Sequence, residues 1–135
     1  MKVDRDAPLR LLGPLGCGVQ TGVGAVMNAL RPQAGSTIAI FGAGTVGLSA
    51  AIAAALCGCA TVIAVDSLTL SGTCGVIEGD SVPGEFIPRL IDLYRQGRFP
   101  FDKLVTEFKF GEVQKAVTES ERGTVVKAVL RMSGF

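Results

Sequence analysis

Ile38-Ala39-Ile40-Phe41-Gly42-Ala43-Gly44-Thr45-Val46-Gly47 decides the reading of this chain, together with the downstream stretch Thr61-Val62-Ile63-Ala64-Val65-Asp66. The first four residues are apolar and rich in β-branched side chains, as in a buried strand. Three glycines in G-x-G-x-x-G spacing then open a run of small residues, Thr45–Leu56, that predicts a helix. A second β-branched run follows and ends on an acid. Strand, glycine turn, helix, strand and acid are the parts of a dinucleotide-binding fingerprint in its required context. Each part has a physical task. Gly42 permits the tight turn. Gly44 leaves the backbone open to a pyrophosphate. Gly47 lets the helix lie close to the strand. The helix N-terminus offers free N–H groups and a partial positive charge to phosphate oxygens. Asp66, 22 residues after Gly44, is placed to accept hydrogen bonds from ribose hydroxyls.

Working outward, the 135 residues are one domain's worth of chain, apolar (mean hydropathy +0.45) and nearly neutral at +1. No basic stripe points to nucleic acid, and one Tyr with no Trp leaves little for stacking bases. The absence of histidine excludes a Ser-His, Cys-His or His-metal mechanism built from these residues alone. Cys17, Cys57, Cys59 and Cys74 lack zinc-ribbon spacing. Cys57, Cys59 and Cys74 read as buried small apolar residues in a reducing compartment. The charged start Met1-Lys2-Val3-Asp4-Arg5-Asp6 is unlike a signal peptide, so a cytoplasmic protein is expected. Residues 32 to 65 carry no charge. The run is long enough to span a bilayer, but Gly42-Ala43-Gly44, Ala34-Gly35-Ser36 and Cys57-Gly58-Cys59 interrupt it. Strands buried on both faces of a parallel sheet, with a helix covered on both sides, account for it without a membrane.

Three parts are expected within a single partial domain over residues 1–135. Residues 1–35 form a Pro- and Gly-punctuated lead-in and a helix from about Val19 to Leu30, ended by Arg31-Pro32. Residues 36–66 are the fingerprint unit. Residues 67–135 hold a strand at Thr73–Ile77, a turn at Glu78–Ser81 and an amphipathic helix from Glu85 to Gln96. That helix buries Phe86, Ile87, Leu90, Ile91 and Tyr94 and is stopped by Gly97. A strand at Leu104–Phe110, a polar helix at Gly111–Ser120 and a strand at Thr124–Arg131 complete this part. Nine of the thirteen Lys and Arg residues fall after position 84, so this part is the more solvated.

Several blocks together resemble one family. Leu15-Gly16-Cys17-Gly18-Val19-Gln20-Thr21-Gly22, the Gly42–Gly47 turn and Asp66 are similar to the coenzyme domain of zinc-dependent medium-chain alcohol dehydrogenases. Gly75-Val76-Ile77-Glu78-Gly79-Asp80-Ser81-Val82-Pro83 and the stretch from Ile87 to Leu104 resemble the aryl-alcohol (benzyl-alcohol) branch. The resemblance implies NAD as cofactor, an aromatic or other primary alcohol as substrate, and zinc as Lewis acid in intact members. Zinc polarises the alcohol oxygen while a hydride passes to NAD. It implies Cys17 as one of three protein ligands of that zinc and Thr21 near the nicotinamide. Gly42, Gly44, Val46 and Gly47 become the pyrophosphate turn and Asp66 the ribose acid. The backbones of Val76 and Glu78 would meet the carboxamide, and Lys127 would face the pyrophosphate. From the residues alone, the alternatives are a buried thiol at a helix start for Cys17, a helix cap for Thr21, a turn residue for Asp66 and a solvated charge for Lys127. Glu78 and Asp80 read as loop residues and not as catalysts.

The family is several hundred residues long and begins with a catalytic domain that has no counterpart here. It also continues after Asp66 through roughly eighty residues absent from this chain, where Asp66 runs into Ser67-Leu68-Thr69-Leu70-Ser71-Gly72. The expectation is therefore an α/β fold, a truncated Rossmann-type parallel sheet flanked by helices and missing its central strands. Its exposed edges predict either a re-paired compact sheet or strand exchange into a homo-oligomer. The function expected is that of an NAD-binding remnant of an alcohol dehydrogenase, inactive alone and without zinc. The alternative is a non-catalytic nucleotide-binding or oligomerisation module that pairs with an intact paralogue.

Overall fold

The computed structural model describes residues 6–66 and 79–132. The order of elements is α1 (Leu9–Leu12), a 3-10 turn (Gly13–Gly16), α2 (Gly18–Gly24), β1 (Thr37–Phe41), α3 (Thr45–Leu56), β2 (Thr61–Val65), α4 (Pro83–Arg95), a 3-10 turn (Phe101–Leu104), β3 (Val105–Lys109), a 3-10 turn (Phe110–Glu112), α5 (Val113–Glu121) and β4 (Lys127–Arg131). The architecture is α/β, with short parallel sheets flanked by helices. β1 pairs with β2 from Thr37↔Thr61 to Phe41↔Val65, and β3 with β4 from Val105↔Lys127 to Lys109↔Arg131. Each pair is parallel because a helix, α3 or α5, carries the chain back between its strands. The expected Thr73–Ile77 strand, Cys74, Val76 and Glu78 lie outside the described residues.

Local chemistry sets the ends of these elements. α3 closes at Cys57 with Gly58 left-handed (φ 79°). The Gly58 N–H bonds the Ala55 carbonyl at 3.0 Å and the Cys59 N–H bonds that of Ala54 at 3.1 Å, the paired bonds of a Schellman stop. α4 ends the same way: Gly97 (φ 69°) donates to Tyr94 O at 2.8 Å and Arg98 to Leu93 O at 3.0 Å. The predicted Val19–Leu30 helix is continuous but changes type, α-helical to Gly24 and π-helical over Ala25–Leu30. Arg31 stops it in the left-handed region (φ 48°), with its Nε on the Asn28 carbonyl at 2.6 Å, rather than in the extended conformation a following proline favours.

The main core lies between α2, α3 and α4, with Leu15, Val19, Val23, Ala53, Ala54, Leu90, Phe99 and Phe101 fully buried. α2 and α3 approach closely at Gly22, where a Cβ would meet the Val46 carbonyl oxygen and lie 2.9 Å from Ser49 Cβ. A smaller core under the second sheet is built from Phe108, Ala116 and Val125. Tyr94, expected in the core, is half-buried and tilts against Phe101 at 4.9 Å.

Three expectations need correction. α3 is not fully enclosed: Ser49, Ala50, Ala53 and Ala54 are buried, Ala55 is exposed and the rest of the helix is half-buried. The fingerprint strands are not buried on both faces. Ile38 and Ile40 face α3, but Phe41, Ile63 and Val65, on the opposite face, are 76%, 48% and 46% exposed. Nor is there one re-paired sheet, because among the described residues the strands form two separate two-stranded sheets. Among the described residues each strand pairs with the strand that its own crossover helix delivers. No helix among the described residues is long and apolar enough to cross a membrane.

Candidate functional site

The fingerprint turn opens onto a cavity of about 570 Å³. Gly42, Gly44, Val46 and Gly47 line it, and Cys17 and Lys127 join them from distant parts of the chain. The turn is shaped as the glycine spacing demands. Gly42 sits at φ 103°, which a side chain rarely tolerates. A Cβ on Gly47 would run into the Gly42 carbonyl oxygen, so helix and strand meet only because that atom is absent. A Cβ on Gly44 would meet nothing within 4 Å. Gly44 is also the N-cap of the twelve-residue α3 and supplies no side-chain cap. The first N–H groups of α3 are thus left for an external acceptor, at the end where the helix dipole favours an anion.

Asp66 follows the last residue of β2. The Gly42 N–H bonds the carbonyl oxygen of Val65 at 2.7 Å, so the acid's own strand end is tied to the turn. Asp66 is exposed and does not line the cavity. Thr21 stands off the cavity as well. It does not cap a helix start, because its hydroxyl donates back to the Cys17 carbonyl at 2.9 Å from within α2. Lys127 opens β4, with its exposed side chain at the cavity. Residues not singled out from the sequence complete the lining, among them Gly18, Phe41 and Thr45. Thr45 carried no sequence signal, since its partner is the carbonyl of Val126, 81 residues on.

Cys17 is exposed at the N-cap of α2 and is not a buried thiol. Among the described residues no three His, Cys, Asp or Glu side chains gather to hold a metal. This donor set does not fit a zinc ion, so no chemistry is derived through one. Cys57 and Cys59 are half-buried against the main core. Burial, with the neighbouring Cys59 adding to it and Arg89 opposing, raises the Cys57 thiol above its ordinary pKa. Less thiolate at Cys57 means slower alkylation. Limited iodoacetamide at pH 8 is therefore expected to label Cys17 before Cys57, read by peptide mass spectrometry. Faster labelling of Cys57 would contradict its burial.

A second cavity, of about 330 Å³, lies between Arg31, Asp80, Glu85 and Arg89. These side chains are exposed and of both signs, and none belongs to the fingerprint.

No protein-family model matches the chain. Geraniol dehydrogenase of Castellaniella defragrans is 30% identical, over 96% of this chain and 57% of its own. The crystal structure of benzyl alcohol dehydrogenase from Acinetobacter calcoaceticus superimposes with a TM-score of 0.85 at 29% identity, over 98% of this chain and 59% of its own. This chain is a homologue of the zinc-type alcohol dehydrogenases. An alcohol dehydrogenase zinc-binding domain protein from Burkholderia ambifaria agrees, at TM-score 0.85 and 31% identity over 99% of this chain and 58% of its own. The dehydrogenase homologue thus spans less than two thirds of the length of these relatives. The geraniol dehydrogenase alignment runs over 213 residues yet takes up only 96% of a 135-residue chain. That relative therefore carries residues, inside the matched span, that have no counterpart in this homologue.

Proposed function

We propose that this chain is the NAD-binding part of an alcohol dehydrogenase, retaining the phosphate-binding half of the cofactor site without its metal. One observation carries the reading: an uncapped α3 N-terminus, a glycine turn with open space at Gly44, and Lys127 all border one cavity. In this reading the free N–H groups of α3 and the Lys127 ammonium hold the pyrophosphate. Asp66 accepts from the adenosine ribose and repels a 2′-phosphate, which selects NAD over NADP. Val76 and Glu78 would meet the nicotinamide carboxamide through their backbones, and Thr21 lies on the nicotinamide side. In the intact family a bound zinc ion would supply Lewis-acid chemistry at the alcohol. Here Cys17 would be one ligand, and no three donor side chains gather among the described residues to hold the ion. We therefore expect purified protein to show no benzyl-alcohol-dependent NADH formation; zinc-dependent turnover would overturn the reading. Among the described residues Cys17, Cys57 and Cys59 are free thiols, which suits the cytoplasmic location we propose.

Calorimetry with NAD tests the cofactor claim. Asp66→Ala removes charged hydrogen bonds to the ribose worth about 1.5–3 kcal/mol, so affinity should fall roughly ten- to hundredfold. Gly44→Val should fall at least about tenfold by filling the phosphate space. Millimolar binding indifferent to both changes would remove the claim.

The exposed apolar face formed by Phe41, Ile63 and Val65 favours a second, compatible reading, an oligomerisation module. Sedimentation at rising concentration distinguishes the two. A clean monomer throughout would eliminate self-association and leave NAD binding standing.

A further inference from the structure

Lys127 belongs to the small second sheet, and the glycine turn belongs to the first unit. Something must hold one over the other. The Thr45 hydroxyl donates to the Val126 carbonyl at 3.2 Å, a bond that crosses from the first residue of α3 to the residue before Lys127. Thr45 and Lys127 both line the cavity. The Thr45 methyl touches a third segment, lying 3.1 Å from where a Cβ on Gly18 would stand. One residue therefore links three of the segments that border the cavity: the start of α2, the start of α3 and the start of β4.

We infer that Thr45 is a positioning residue that sets the Lys127 ammonium over the pyrophosphate turn. This rests on the NAD reading above. The hydroxyl fixes the backbone of Val126, and the neighbouring Lys127 starts from that fixed point. Without the bond, the backbone before Lys127 is held only by the β3 pairing that begins at Lys127, and the flexible four-carbon stem loses more freedom when it binds the phosphate. The hydroxyl thus acts through Lys127 and needs no contact with the ligand.

The experiment is a double-mutant cycle on NAD affinity, measured by calorimetry at two salt concentrations, with circular dichroism to verify folding. Thr45→Val keeps the shape and deletes only the hydroxyl. Lys127→Gln deletes the charge. Thr45→Val is expected to weaken NAD binding about three- to tenfold, and Lys127→Gln about tenfold. The double variant should bind no worse than Lys127→Gln. Thr45→Ser, which keeps the hydroxyl, should bind as wild type does. Thr45→Val should also flatten the salt dependence as Lys127→Gln does, which a purely structural loss would not. Should Thr45→Val not fold, Thr45→Ala takes its place in the cycle. Additive losses, an undiminished Thr45→Val, an unchanged salt dependence or failure of Thr45→Ser to restore binding would each overturn the inference. Wild-type protein that binds no NAD would instead bring down the parent reading, and this one with it.

Discussion

Gly47→Ala is expected to destabilise the protein by about 3 kcal/mol, a single methyl group notwithstanding. The added Cβ points straight at the Gly42 carbonyl oxygen, which is backbone and cannot swing aside. Either α3 lifts off β1, opening the Gly22 contact between α2 and α3, or the turn at Gly42 deforms. The loss is a large share of the roughly 5–15 kcal/mol by which ordinary domains are stable. Urea denaturation reads it as a lower midpoint, and NAD binding should fall with it. Gly44→Ala is the control. Its φ of −73° suits any residue and its Cβ meets open space, so stability should fall by less than about 1 kcal/mol, the difference between glycine and alanine at an N-cap. Equal midpoints for the two variants would show that the turn does not have this geometry.

Phe101→Ala carries the other large effect, about 3–5 kcal/mol. Phe101 is fully buried and contacts Tyr94 at 4.9 Å and Phe99 at 5.7 Å between ring centroids. It is the point where the chain leaving α4 is pinned to the main core, before the 3-10 turn hands over to β3. Removing the ring leaves a cavity and frees Tyr94 and Phe99 together, and thermal or urea unfolding measures the loss. Phe110→Ala makes the comparison: that ring is 54% exposed, and its removal should change stability by no more than about 0.5 kcal/mol. Comparable losses at the two positions would mean that Phe110 is covered in solution, as a self-association surface would require.

What was legible in the sequence was local. The turn between β1 and α3 could be read because φ 103° at Gly42 and the close approach at Gly47 admit essentially glycine alone. The end of α4 could be read because Gly97 stops it by a local bond pattern, and its buried face because Phe86, Ile87, Leu90 and Ile91 repeat at helical spacing. Boundaries drifted where no such device exists. The second half's strands were expected at Leu104–Phe110 and Thr124–Arg131, and they form at Val105–Lys109 and Lys127–Arg131. Short 3-10 turns and loop carry the remainder, and alternating side chains do not distinguish these from strand. The burial of the fingerprint strands was misjudged for a different reason. Their apolar character suits a sheet covered on both faces, and side-chain type does not reveal whether the covering chain is present.

The sequence by itself determined the β1–turn–α3–β2 unit, its glycine-lined turn and the family to which the residues point. Those features depend on interactions within about thirty residues, where backbone sterics and hydrophobic period act directly. Only the tertiary structure decided that the strands form two sheets among the described residues, that one face of the first lies open, and that Lys127 borders the same cavity as the turn, with Thr45 bonded to Val126 across an 81-residue separation. Those outcomes depend on which distant surfaces meet, and a single hydroxyl bonding a carbonyl leaves no periodic trace in the sequence.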